Sequence, residues 1–192
     1  TEYFGCIRTV SDADPVLLKK VYGLSESSTV LLGLLPAVSR LCAINGCRDI
    51  RLNTTENARK YFTAFFSGCR NELVAVATVN RNFKITGSAI ISYSDVTEVS
   101  LPCRNAAIFA YERGADFAFI AHCHPNGSCE PSQNDISATM KLMAALDLVD
   151  IPLADHIITA GENAVSMREF VNSGRSDRRI PDISGYSVVT TD

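Results

Sequence analysis

The stretch DFAFIAH, residues 116 to 122, constrains this 192-residue chain more than any other. Phe117, Ala118, Phe119, Ile120 and Ala121 follow one another without a polar break. Extended, they leave neither face suited to water, so the segment reads as a central strand covered on both sides. Its neighbours supply the covering layers. ELVAVATV reads as a strand, NRNF as a tight turn and KITGSAIIS as a returning strand. Pro102 opens a helix, NAAIFAYER, that Gly114 ends. After DFAFIAH come the loop CHPNGSCEP, a helix from Ser132 to about Leu148 and a strand, IPLADHIITA. The order hairpin, helix, strand, helix, strand predicts a three-layer α/β domain with a mixed sheet flanked by helices.

Upstream, residues 14 to 45 read as short helices, DPVLLKKVYGL and then SSTVLLGLLPAVSRLCAING. Asp14 before Pro15 is the start signal and Gly46 the stop. NTTENARKYFTAFFS is a further helix, capped by Thr54 or Thr55, with Ala58, Tyr61, Phe62, Phe65 and Phe66 on one apolar face. Beyond Phe170 the chain turns polar and reads as a loosely held tail. The expected division is a small helical N-terminal region over residues 1–50, the α/β domain over 51–170 and the tail over 171–192.

Hydrophobic residues make up 46% of the chain and charged residues 20%, enough apolar material for a sizeable core. The net charge of −3 argues against a surface built for nucleic acid. GRSDRR, residues 174 to 179, is the one local basic run and reads as solvated. The apolar run TVLLGLLPAV is too short to cross a bilayer, so no membrane is expected. Seven cysteines (Cys6, Cys42, Cys47, Cys69, Cys103, Cys123 and Cys129) show no paired zinc-ribbon spacing and follow no signal peptide. Reduced thiols and a cytoplasmic location are the expectation.

Chemistry concentrates in AHCHPNGSCEPSQNDI, residues 121 to 136. Side chains two apart on an extended chain point the same way, so His122 and His124 can converge on one ion while Cys123 points away. Zinc sites used in catalysis take three protein ligands and leave a position open. Asp135 can be the third, because the turn from Pro125 to Gly127 folds the chain back. Ser132 and Asp135 also match a helix capping box, and read alone they need mean nothing more. The combination, with two of the chain's three histidines in it, favours a metal site.

His122-Cys123-His124-Pro125, followed by Ser132-Gln133-Asn134-Asp135, resembles the motif of the JAMM (MPN+, JAB-type) metalloproteases. HPNGSCEPSQND with IPLADHIITAG resembles the RadC family within that superfamily, over roughly residues 52 to 170. The resemblance implies a cytidine-deaminase-like α/β fold and zinc held by His122, His124 and Asp135. It implies Ser132 as the hydrogen-bond donor to the substrate carbonyl or oxyanion, and Glu72, in RNELVAVATV, as the catalytic glutamate. Zinc lowers the pKa of a bound water to about 7, a carboxylate takes its proton, and a hydroxyl stabilises the oxyanion. The expected activity is therefore that of a zinc-dependent peptidase or isopeptidase acting on a peptide or protein, with ubiquitin-like substrates included.

Glu98 is the main rival to Glu72, and Glu112 and Glu130 are weaker ones. Relatives carry asparagine where Cys123 stands, which leaves ligation by Cys123 or Cys129 as a further alternative. His156, beside Asp155, is either a structural residue or one that orients a ligand. Arg104 either holds the fold or meets substrate; Ser166 is given no role. The alternative function is a DNA-repair-associated or nucleic-acid-binding RadC-like protein whose metal site is structural or acts on nucleic acid. VYGLSESS and AINGCRD lack the helix-hairpin-helix pattern that such binding uses in relatives. A zinc deaminase is excluded by the missing His-x-Glu and Pro-Cys-x-x-Cys.

Overall fold

The computed structural model describes residues 10, 13, 15–47, 49–69, 71–93, 103–125 and 127–173. The elements are α1 (Pro15–Leu18), α2 (Glu26–Gly46), α3 (Thr55–Phe65), β1 (Leu73–Val79), β2 (Ile85–Tyr93) and α4 (Cys103–Glu112), then β3 (Phe117–Cys123), α5 (Gln133–Asp147), β4 (Leu153–Ala160), β5 (Asn163–Ser166) and α6 (Met167–Asn172). The five strands form one sheet in the order β2-β1-β3-β4-β5. DFAFIAH is thus the middle strand. It pairs antiparallel with β1, Val74 opposite His122, and parallel with β4, Ile120 opposite His156.

Strand alternation sorts the core into two layers. Leu73, Ala75, Ala77, Val79, Phe119, Ala121 and Cys123 face one side and bury α3 through Ala58, Tyr61, Phe62 and Phe65. Val74, Val76, Ala118 and Ile120 face the other and bury Ala106 and Ala110 of α4 with Leu142 and Leu146 of α5. This is the expected three-layer mixed-sheet α/β architecture. Each fully buried large apolar side chain contributes about 1.5–3 kcal/mol through burial.

Local chemistry sets the element ends. Thr54 caps α3, accepting from the Asn57 N–H at 3.1 Å. In the β1–β2 turn, Phe83 takes a left-handed φ of 57°, and the Asn80 side chain accepts from the N–H groups of Asn82 and Lys84. Gly114 follows α4 at φ 56°, a conformation that favours glycine. Whether Pro102 opens α4 lies outside the described residues, as do Asp14, the basic run at 174–179 and most of the tail.

Of the two N-terminal helices expected, the first is shorter than DPVLLKKVYGL, spanning only Pro15–Leu18. The second, SSTVLLGLLPAVSRLCAING, stands as one helix of 21 residues, Glu26–Gly46, started by Ser25. TVLLGLLPAV is only its centre; the whole helix is long and apolar enough, by length and composition, to cross a bilayer. Val30, Leu31, Leu34, Val38 and Leu41 on it are exposed. Beyond IPLADHIITA the chain adds two elements on which the sequence carried no expectation. It turns at Gly161, φ 62°, returns as β5 against β4, and enters α6 with Ser166 as the cap. Phe170 is likewise not the end of order, since α6 runs to Asn172.

Candidate metal centre

β3 delivers His122 at its carboxyl end, and the loop that follows carries His124. The loop leads into α5, so the first turn of that helix faces the strand end it left. Crossovers between parallel strands build ligand sites at this place. Asp135 arrives there as the third helical residue. One carboxylate oxygen, Oδ2, accepts from the Ser132 N–H at 2.7 Å and the Ser132 hydroxyl at 2.6 Å. The Asp135 N–H donates back to Ser132 Oγ at 3.2 Å, completing a capping box. The other oxygen, Oδ1, lies 3.1 Å from His122 Nε2, and His124 Nε2 lies 2.9 Å from the same nitrogen. His122, His124 and Asp135 offer ligand atoms that all fall within 4.8 Å of one another.

Hydrogen bonding fixes which nitrogens are bare. Thr139 Oγ1 donates to the Asp135 carbonyl oxygen at 2.6 Å, so its single proton is committed. It can only accept from His156 Nδ1, 2.7 Å away, which therefore carries a hydrogen. Burial, and next the neighbouring His122, push His156 down to about 3, so it is neutral at pH 7 and its Nε2 is bare. That nitrogen accepts from His122 Nδ1 at 2.8 Å, which leaves His122 Nε2 bare in the neutral ring. His124 Nδ1 lies 2.7 Å from the Ser128 carbonyl oxygen, which only accepts, so His124 Nε2 is bare as well.

With both rings neutral, two imidazole lone pairs and a carboxylate oxygen converge with no hydrogen among them. Such a cluster is satisfied by positive charge, which a metal ion supplies. Burial works against the Asp135 carboxylate. When His122 Nε2 carries a hydrogen instead of a metal, its hydrogen bond and charge outweigh that cost, with Ser132 adding, and hold the Asp135 pKa well below the usual carboxylate range. The donor set fits a divalent metal, and nitrogen with oxygen ligands in this ratio suits zinc.

Glu72 and Ser132 line the same open cleft of about 170 Å³ as His122, His124, Asp135 and His156. Glu72 immediately precedes β1, in step with Val74, whose partner across the ladder is His122. Glu72 is exposed at the mouth of the cleft. The Ser132 hydroxyl, expected to serve the substrate oxygen, has its proton on Asp135 here. Glu112 ends α4 and Glu130 lies in the loop; neither lines the cleft, and Glu98 is outside the described residues. Arg104 is exposed on α4 and does not line it either. Cys123 faces the α3 layer with its thiol donating to the Asn71 carbonyl oxygen at 3.3 Å, and Cys129 packs beside Ile136, Ile158 and Met167. Among the described residues no cysteine joins the ligand group.

Nothing in the sequence marks out Thr139 except its place one turn beyond Asp135. Ser166 proves to be structural, its hydroxyl donating to Asp155 Oδ2 at 2.6 Å. Asp155 also accepts from the N–H groups of His156 and Arg168.

A mixed sheet with flanking helices, and His-x-His at the end of its central strand facing an aspartate on the next helix, defines a JAB/MPN-type α/β domain. The chain belongs to the RadC-like JAB domain family, whose model matches residues 52–173. It is similar to a UPF0758 protein of Pseudoalteromonas translucida, 34% identical over 122 residues that cover 64% of this chain and 54% of the relative. It is also similar to UPF0758 proteins of Bordetella petrii, 28% identical, and Neisseria meningitidis serogroup B, 27% identical, each over 86% of this chain and 74% of the relative. The chain therefore spans about half the length of the first relative and about three quarters of the other two.

Proposed function

We propose that this chain is a zinc-dependent hydrolase that cleaves a peptide or isopeptide bond. The observation that carries the reading is the convergence of three bare donor atoms, from His122, His124 and Asp135, in a cleft that Glu72 also lines. Zinc held by such a set supplies a nucleophilic water at neutral pH and polarises a carbonyl. The chain's own residues do the rest. Glu72, on the cleft wall, takes the proton of the attacking water and passes it to the leaving amine. Ser132 holds Asp135 in place and, by turning its hydroxyl, can donate to the substrate oxygen as negative charge builds there. His156 and Thr139 hold His122 in the tautomer that presents Nε2. Six cysteines among the described residues are free thiols, and a reducing compartment such as the cytoplasm is part of this reading.

Metal analysis of the purified protein tests the site: about one zinc per chain is expected, and His124→Ala should carry markedly less. Activity is then assayed on a panel of quenched peptides and of isopeptide-linked ubiquitin-like conjugates. Glu72→Gln should keep its zinc and lose hydrolysis. Wild-type turnover by Glu72→Gln removes Glu72 from the reaction, and a metal-free wild-type protein that refuses added zinc ends the reading. Salt-sensitive binding to DNA without any cleavage of the panel would favour the nucleic-acid alternative.

A further inference from the structure

The outer face of α2 is apolar and open to solvent. Val30, Leu31, Leu34, Leu35, Val38 and Leu41 are each 40–64% exposed. At 3.6 residues per turn they fall on one side of the helix. Thr29, which is buried, and Arg40, whose guanidinium lies 3.9 Å from the Cys69 sulfur, fall on the other side. Ile44 packs against the α3 core layer. The domain thus holds α2 by its inner side and leaves the outer one uncovered among the described residues. Glu26 and Arg40 are the only charged residues of the helix, and Glu26 pairs with Lys19 at 3.4 Å. The open face carries no charge, which suits neither nucleic acid nor a charged peptide.

We propose that this face pairs with the same face of a second copy, as two antiparallel helices about a two-fold axis. The residues along the middle of the face recur at alternate steps of four and three: Ser27, Leu31, Leu34, Val38, Leu41 and Asn45. That is the spacing of helices packed side by side with interlocking side chains. The order reads alike from both ends, polar, four apolar, polar. Laid antiparallel about position 36, Leu31 meets Leu41 of the second copy, Leu34 meets Val38, and Ser27 meets Asn45, hydroxyl against amide. Matching apolar with apolar and polar with polar from a single surface is what an isologous contact requires. The opposed macrodipoles of the two helices favour the same direction.

Six side chains left about half exposed make up roughly a few hundred Å² of contiguous apolar surface, the extent at which such a patch marks a contact site. With its polar rim, and with the exposed Leu17 and Tyr22 just ahead of the helix, each copy offers surface on the order of the ~600–1,000 Å² that a stable pair buries per partner. A bilayer fits less well. From Val30 to Leu41 the stripe runs about 17 Å at about 1.5 Å per residue, against about 30 Å of hydrocarbon. Lipid would also have to surround a helix whose inner side is taken. A helix lying on a membrane surface carries Lys and Arg along its polar face, and α2 has only Arg40, turned toward Cys69. The pairing does not depend on the hydrolase reading above. It leaves the cleft open, since α2 packs on the α3 side of the sheet and the cleft lies on the α5 side.

Sedimentation velocity of the full chain in reducing buffer, at micromolar concentrations, should show a species of twice the chain mass. Leu34→Glu and Val38→Lys should each sediment as a monomer, the dissociation constant of the pair rising about 100-fold or more because a charge is left unpaired in the contact. Both positions are exposed in the single copy, so far-ultraviolet circular dichroism of the variants should match the wild type. Mixed in equal amounts, the two variants should recover the dimer, because the antiparallel register sets the introduced carboxylate against the introduced ammonium. A wild-type chain that stays monomeric, or variants that dimerise as well as the wild type, overturns the pairing. Variants that are monomeric alone and stay so when mixed overturn the antiparallel register. Flotation of the wild type with phosphatidylcholine–phosphatidylserine vesicles, lost in Leu34→Glu, assigns the face to lipid and likewise overturns the pairing.

Discussion

Replacing Thr139 by valine tests the hydrogen-bond chain behind the metal centre. Valine has the shape of threonine without the hydroxyl, so packing at this 1%-exposed position is preserved. What is lost is the acceptor for His156 Nδ1 and the proton given to the Asp135 carbonyl. A buried N–H left without a partner costs about 1–3 kcal/mol. The wholly buried His156 can escape that cost by moving its proton to Nε2. It then donates to His122 Nδ1, which forces the His122 proton onto Nε2, the nitrogen meant for the metal. Loss of such a supporting partner costs about 10–100-fold in metal affinity, or about 1.4–2.8 kcal/mol. Two measurements at pH 8 read this out. Nitrogen-15 correlation spectra of the metal-free protein should show His122 with its hydrogen on Nδ1 in the wild type and on Nε2 in Thr139→Val. Zinc titration against a chromophoric chelator should show the fall in affinity, and Thr139→Ser should restore it. Unchanged ring tautomers together with wild-type affinity in the valine variant would refute the reasoning.

Other predictions concern stability. Burial raises the Asp155 pKa, so between the unfolded carboxylate pKa and its own higher value the native state holds a proton that the unfolded chain has lost. Its contribution to stability is therefore full below the ordinary carboxylate range and falls as pH rises through the raised pKa; urea unfolding should show Asp155→Asn without that fall. Phe62 is fully buried among Tyr61, Phe65 and Phe66, so Phe62→Ala should cost about 3–5 kcal/mol by the same assay. Stripping divalent metal with a chelator should lower the midpoint of thermal unfolding, and added zinc should restore it, because a ligand of the folded state alone stabilises it.

The parts of this fold that could be read from the sequence are those with local signatures. The unbroken apolar run of β3, the helical stripe of Ala58, Tyr61, Phe62 and Phe65, and the Ser132-x-x-Asp135 cap each declare themselves within a few residues. His122, His124 and Asp135 were legible for the same reason, since strand parity and a capping pattern place them without knowledge of distant contacts. β5 was not legible, because four residues carry no periodicity and its pairing depends on the turn at Gly161. Thr139 acts only through a partner farther along the chain, His156, and no local pattern announces such a meeting.

The capping box at the start of α5 joins two matters that proteins usually keep apart. One oxygen of Asp135 secures the opening turn of the helix, and the other closes the ligand set. Whenever that turn frays, the carboxylate swings away and the centre comes apart with it. Fraying of a single turn requires far less free energy than global unfolding. On warming, the metal-binding function should therefore fade at temperatures where the sheet is still intact, and ion binding should in turn hold the first turn of the helix closed.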